Sequence, residues 1–370
     1  MSLRVFLTSD IHLGMKFAGY PDAQAILVEA RFRSLERIVA EANDRGSDLL
    51  VVAGDLFEKV TVDRGDVLRA AETLRGFRGR LVAVLPGNHD YLSADDMLWP
   101  RFRDASGDTM VLLDQPRPYP LDRYGMDACL YPGPCVSKHS PSNAIAWVSD
   151  AVKDRSAFHH VGIAHGSLEG ISPDFNGDYY PMTIAQLEES GLHLWLLGHT
   201  HVRFPARPSG ADRVFIAGTP APDGFDCTHA GGAWALDLSD EHAVAAQAVQ
   251  TGSLRFVEET SAVRAAADLE KLEARFSGPD AKSILLKAHL EGRAPREVIA
   301  LIGDLRQRMT NSLLHLDLRT DGLREEITRQ TIDREFPEGS FPHSLLSKLV
   351  EAGDLDALDI AHELIAEAQR

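Results

Sequence analysis

Seven residues with oxygen or nitrogen donor side chains recur where short apolar runs end in this 370-residue chain. Leu49-Leu50-Val51-Val52-Ala53 runs into Gly54-Asp55, and Phe6-Leu7-Thr8-Ser9 runs into Asp10-Ile11-His12. Leu81-Val82-Ala83-Val84-Leu85 leads into Pro86-Gly87-Asn88-His89-Asp90. Val161-Gly162-Ile163-Ala164 ends in His165, and Leu194-Trp195-Leu196-Leu197 opens onto Gly198-His199-Thr200-His201. Two carboxylates, one amide oxygen and four imidazoles, with no thiolate, suit a divalent ion with mixed oxygen and nitrogen donors. Taken singly, each has an ordinary explanation. Gly-Asp after a strand is a turn or a helix cap, Gly-Asn-His-Asp is a turn, and a lone histidine is a hydrogen-bonded core residue. Recurrence at five consecutive strand ends favours one shared centre.

The elements that must position these residues are legible as well. A four- or five-residue apolar run ending at a turn signal reads as a strand buried on both faces of an α/β sheet. In such sheets ligands gather beyond the carboxyl ends of the strands, and Gly54 allows the bend that turns Asp55 inward. Helix patterns over 25–43, 66–77 and 94–104 alternate with the strands, which implies βαβ units and a largely parallel sheet. A helix is expected over 142–152. From Arg213 the pattern turns to β, at 214–217, 233–236 and 244–249, read as antiparallel strands that add a second layer. The fold class is therefore α/β, a β-sandwich flanked by helices. Beyond it, a helix at 263–276, a strand at 283–290, a helix at 295–309 and a strand at 313–318 suggest a small α+β domain. Helices at 341–352 and 355–368 close the chain. The expected domains are 1–255, 256–335 and a helical segment 336–370.

Composition is ordinary for a globular protein, 44% hydrophobic and 25% charged. No stretch reaches the roughly 18 apolar residues of a membrane span, and the N-terminus enters a strand at once, so a cytoplasmic location without membrane contact is expected. Cys129, Cys135 and Cys227 lack metal-finger or redox spacing and are read as reduced thiols. A net charge of −17 argues against a generally basic nucleic-acid-coating surface. It leaves a nuclease open, because bound cations reverse the sign of a carboxylate-lined site.

The ordered series Asp10-x-His12, Gly54-Asp55, Gly87-Asn88-His89-Asp90, His165 and Gly198-His199-x-His201 resembles the calcineurin-like metallophosphoesterase superfamily, with no departure at a ligand position. The resemblance implies two divalent ions and phosphoester hydrolysis. Asp10, His12, Asp55 and His201 would hold one ion; Asp55, Asn88, His165 and His199 would hold the other, with Asp55 bridging. His89 would act at the leaving-group oxygen rather than as a ligand. Asp90 would orient His89, or cap the following helix. The donor set suits Mn²⁺, Fe or Zn²⁺.

A narrower resemblance is to SbcD-type DNA repair exonucleases. It rests on Asp10-Ile11-His12-Leu13-Gly14 with Arg31-Phe32, on Gly54-Asp55-Leu56-Phe57, and on Gly218-Thr219-Pro220 before Gly231-Gly232-Ala233-Trp234. It implies manganese, DNA as substrate, an SMC-like coiled-coil ATPase partner docking on the terminal helices, and a homodimer formed through helix 66–77. Ordinary packing accounts for the same helices equally well. Lys16, Lys59 and Arg203, close to the motifs, are candidate contacts to substrate phosphate. Two other readings stand beside this one: a free-standing phosphodiesterase or phosphatase for small nucleotides, and a metal-binding scaffold subunit without turnover.

Overall fold

The computed structural model of the chain describes residues 2–95, 97–151, 157–174 and 176–368. Its strands, in chain order, are β1 (Leu3–Thr8), β2 (Leu49–Ala53), β3 (Leu81–Leu85), β4 (Met110–Leu112), β5 (Tyr119–Pro120), β6 (Ala128–Gly133), β7 (His159–His165), β8 (Leu194–Gly198), β9 (Val214–Ile216), β10 (Gly232–Leu238), β11 (Val244–Gln250), β12 (Arg255–Ala262), β13 (Ile284–Ala294) and β14 (His315–Glu325).

Alternation along β2 explains the layering. Leu49, Val51 and Ala53 enter one core while Leu50 and Val52 enter another. The first sheet has the order β11-β10-β1-β2-β3-β4, with β1 to β4 parallel and β10 and β11 antiparallel. The second has the order β5-β6-β7-β8-β9, parallel except for β5. Leu49, Val51, Val161, Ile163, Leu194 and Leu196 pack together between the two sheets. Helices Gln24–Asp44, Arg64–Arg75 and Leu98–Ser106 cover the outer face of the first sheet through Leu35, Ile38, Val67, Leu74 and Phe102. The short helices Val148–Ala151 and Ile184–Glu189 cover the second through Val148 and Leu187. This is the mixed α/β sandwich flanked by helices that the sequence predicts. It places the carboxyl ends of β1, β2, β3, β7 and β8 at one end of the sandwich, where parallel strands of both sheets finish.

Several elements differ from expectation. The strand after Arg213, β9, pairs parallel to β8; the antiparallel return starts only at β10. Within 142–152 only Val148–Ala151 is helical. Asn143 Oδ1 accepts the Ile145 N–H at 2.9 Å, a local turn that competes with helix; Val152 lies outside the described residues. Helix 94–104 begins only at Leu98, and Asp96 is likewise outside the described residues. The expected helix 295–309 is two helices, Arg296–Ala300 and Ile302–Ser312. The three cysteines are free and buried.

The chain separates into two compact units, Met1–Phe256 and Val257–Arg370. The second contains a sheet of order β12-β13-β14, with β13 and β14 parallel. Its own core includes Leu286, Leu290, Leu305 and Met309, and helices Phe341–Ala352 and Leu355–Ala368 belong to it. Among the described residues no helix is long and apolar enough to cross a membrane.

Candidate metal centre

Four of the seven ligand-type residues have left-handed backbones: Asp10 (φ 54°), His12 (52°), Asp55 (52°) and His199 (89°). For residues other than glycine this costs of order 1–3 kcal/mol each, and such strain concentrates at functional sites. It arises because the loops after β1, β2 and β8 fold back at once over the strand ends. The first two loops continue the sheet as a ladder: Asp10 N–H donates to the Gly54 carbonyl (3.1 Å), His12 N–H to Asp55 (3.0 Å) and Leu13 N–H to Leu56 (2.9 Å). Gly54 lies against the His165 ring and Gly87 against the Asp55 carboxylate, so a Cβ at either position would overlap a ligand side chain.

The structure brings all seven side chains together. His12 Nε2 and His201 Nε2 face each other at 3.2 Å. His201 Nε2 lies 3.9 Å from Asp10 Oδ1, and His12 Nε2 lies 3.8 Å from Asp55 Oδ2. The same Asp55 oxygen lies 3.1 Å from His165 Nε2, which is 3.0 Å from Asn88 Oδ1. His199 Nδ1 is 3.1 Å from the same Asn88 oxygen. Asp55 thus stands between two donor groups, Asp10–His12–His201 and Asn88–His165–His199.

The donor atoms fit a cation. His165 Nδ1 must donate to the Ala53 carbonyl (2.9 Å), so in the neutral ring Nε2 carries a lone pair. That lone pair faces two oxygens, from Asp55 and Asn88, which only a proton or a metal between them makes favourable. His201 repeats the pattern, with Nδ1 2.8 Å from Asp223 Oδ2 and Nε2 turned inward. Burying Asp10 and Asp55 together (relative exposure 0% and 1%) costs several kcal/mol per charge unless cations offset it.

In the absence of metal, protons take that role. Burial opposes a charged His165, but the adjacent Asp55 carboxylate outweighs it and raises the ring to about 9. His201 is likewise raised to about 9 against the effect of burial, by its hydrogen bond to Asp223 and by Asp10. Burial and the nearby His165 push His199 down to about 4. Asp55 and Asp223 are held well below the usual carboxylate range, burial notwithstanding, by His165 and by His201 respectively.

His89 sits at the rim with about a third of its side chain exposed, edge-on to His12 at 4.8 Å between ring centroids. Its backbone N–H donates to Asp55 Oδ1 (2.8 Å) and its Nδ1 to the Glu58 carbonyl (3.0 Å), which leaves Nε2 outside this network. Asp90 does not orient it. Buried Asp90 instead accepts the N–H groups of Phe57 (3.0 Å) and Gly87 (2.7 Å), tying the second ligand loop to the third. Burial, reinforced by Asp55, raises Asp90 to about 7. Nor does it cap a helix: the next one starts at Leu98.

Two functional residues escape the sequence reading. Asp223 anchors His201, and Glu58 places Oε2 3.0 Å from His12 Nδ1. The Asp223 pair is of the kind that fixes ring orientation at metal sites, whereas Glu58 and His12 approach closely without hydrogen-bond geometry. Glu58 stands three residues after Asp55, a spacing that could have drawn notice, whereas Asp223 sits in a Pro-Asp-Gly turn that carries no such signal. Two motif residues gain a structural role. Thr219 donates to the Asp10 carbonyl (3.0 Å). Fully buried Arg31 donates to the Ile11 carbonyl (3.0 Å) and Thr219 Oγ1 (3.2 Å), and lies 3.6 Å from Asp223. Of the proposed phosphate contacts, Lys16 and Lys59 are exposed and Arg203 is half-buried.

A second group of metal-capable side chains, His159, His193 and His242, lies at the opposite ends of β7 and β8. There the His193 and His242 rings stack at 3.5 Å and 14°, and a single ion cannot lie in the plane of both.

The family description "Calcineurin-like phosphoesterase" matches residues 3–203, more than half of the chain. The chain belongs to this family. The family is one of dinuclear metal-dependent phosphoesterases, and the seven gathered side chains of this chain fit two ions. It is 26% identical over 207 residues to the uncharacterized metallophosphoesterase YhaO of Bacillus subtilis, covering 53% of this chain and 48% of that protein. It is 25% identical over 232 residues to the DNA double-strand break repair protein Mre11 of Methanopyrus kandleri, covering 60% and 48%. The chain thus spans about half the length of these relatives. A solved structure from Thermus thermophilus, TT1561, overlays with a TM-score of 0.39 at 13% identity, covering 67% of this chain and 99% of that one.

Proposed function

We propose that this phosphoesterase is an SbcD-type nuclease subunit that hydrolyses phosphodiester bonds in DNA with two Mn²⁺ ions, alongside an SMC-like coiled-coil ATPase. The observation that carries the hydrolytic reading is the paired donor group around Asp55 with His89 at its rim. The sequence similarity to a protein named for double-strand break repair supports DNA as the substrate. The Arg31 and Thr219 contacts to the first ligand loop give a structural role to two of the motifs that prompted the SbcD comparison.

Bound divalent ions would supply Lewis acidity toward the phosphate oxygens and lower the pKa of an attacking water. The protein's own contribution is orientation. Ala53 and Asp223 aim His165 and His201, and Glu58 faces His12. His89, held through Nδ1 by the Glu58 carbonyl, presents Nε2 to the leaving-group oxygen, to stabilise charge or deliver a proton. In this reading the second unit steers DNA, the terminal helices bind the ATPase, and helix Arg64–Arg75 serves a homodimer.

The test is degradation of linear DNA by Mn²⁺-loaded protein, alone and with its ATPase partner. The net charge of −17 favours a second reading, hydrolysis of small nucleotides. Turnover of aryl phosphodiesters with no DNA degradation under either condition would decide for that reading.

A further inference from the structure

Arg203 follows the ligand His201 by two residues and is half-buried. Its guanidinium lies 5.1 Å from the centre of the Trp234 ring, within cation–π range, which fixes its direction. Among the described residues it makes no hydrogen bond or ion pair, and its Nε is buried without an acceptor. Acidic residues outnumber Lys and Arg in this chain by 55 to 38, so a guanidinium left without a carboxylate is not a matter of short supply. The more deeply buried Arg31 shows the contrast, with a carbonyl, a hydroxyl and a carboxylate around it.

The space beside Arg203 is a cavity of about 400 Å³, lined among others by Val202, His229, Gly232 and Gln250. It shares a wall with the metal loop, because His229 Nε2 donates to the His201 carbonyl at 2.7 Å. His229 Nδ1 accepts the Gly231 N–H (3.0 Å), so this histidine is committed to the loop and offers the cavity no further donor. In a partly desolvated cavity the planar, forked N–H donors of a guanidinium match two oxygens of a phosphate mono- or dianion. The scissile phosphate belongs at the ions around Asp55.

We infer that Arg203, in the cavity that Gln250 also lines, forms a subsite for a second phosphate group of the substrate, next to the scissile one. The inference rests on the phosphodiesterase reading and sharpens it: substrates with two phosphate units are preferred over those with one.

The experiment compares two chromogenic diesters on the Mn²⁺-loaded full chain, thymidine 5′-(p-nitrophenyl phosphate) and the same compound carrying a 3′-phosphate. The wild-type protein should favour the phosphorylated compound by about tenfold or more in kcat/KM, chiefly through KM. In Arg203→Ala the preference should fall to near unity, and Arg203→Lys should retain part of it. Because the readout is a ratio within each protein, partial metal loss or misfolding cancels. A wild-type ratio near unity, or a ratio unchanged in Arg203→Ala, overturns the subsite. A second measurement does not depend on turnover. Metal-free protein is titrated with a fluorescent oligothymidylate across a salt series, and Arg203→Ala should lower the slope by about 0.7, one phosphate contact on a single strand. An unchanged slope overturns the subsite as well. Hydrolysis of both diesters with the expected ratio but no attack on DNA would remove the nuclease assignment and leave the subsite intact.

Discussion

Replacing Asp223 by alanine isolates the part of the centre that no motif revealed. Asp223 Oδ2 lies 2.8 Å from His201 Nδ1 and 3.6 Å from the Arg31 guanidinium. Without it, His201 loses the acceptor that turns Nε2 toward Asp10 and His12, and Arg31 loses a neighbouring counter-charge. Partners of metal-binding histidines are worth roughly 10–100-fold in affinity, or about 1.4–2.7 kcal/mol at 1.36 kcal/mol per tenfold. That loss should fall on the ion held by Asp10, His12 and His201. The ion near Asn88, His165 and His199 should be little affected, since no hydrogen bond of that group runs to Asp223. Asp223→Asn keeps an oxygen acceptor but removes the charge, so it should lose about tenfold at most. Calorimetric titration of metal-free protein with Mn²⁺ near neutral pH resolves the two binding events, and a melting curve verifies folding. Two unchanged affinities in folded Asp223→Ala would refute the anchoring role. Loss of both ions in a folded protein would show that the two groups are not separable as described.

Gly87→Ala should prevent stable loading, because the added Cβ would overlap the Asp55 carboxylate; elemental analysis retaining two ions would contradict this. His89→Gln should lower kcat by about 10²–10⁴ while metal content is kept, and loss of metal together with turnover would assign His89 a ligand role instead. Loading should depend on pH. His165 and His201, each raised to about 9, hold protons below that pH in the metal-free protein and must release them to bind metal. Apparent affinity should therefore climb as pH rises toward about 9. Calorimetry in buffers of different ionisation enthalpy should detect proton release at neutral pH, and none would contradict the protonated resting state.

The clustering of the seven side chains was legible because each lies at, or within a few residues of, the end of a strand whose apolar run is nearly unbroken. Burial on both faces of a parallel sheet makes such strands conspicuous, and the end of the run marks the end of the sheet. The α/β sandwich followed from the same pattern. What failed to show depended on partners far away in sequence. Nothing near Asp223 announces His201, and nothing near Asp90 announces Phe57. Proximity to His89 in sequence made Asp90 look like its support, whereas the carboxylate is spent on two loop N–H groups. Strands β12 and β14 are hard to read for a related reason. They carry charged residues at many positions, and only Phe256 in the first and Leu318 in the second are buried, so the apolar signal is weak. The direction of β9 lay beyond reach too, since three apolar residues do not say which neighbour they pair with.

Anomalous scattering at the manganese edge from crystals grown with Mn²⁺ tests the central claim most directly. Two peaks are expected on either side of Asp55, one among Asp10, His12 and His201 and the other among Asn88, His165 and His199. A single peak, peaks remote from Asp55, or none at saturating metal would contradict a dinuclear centre built by these seven side chains.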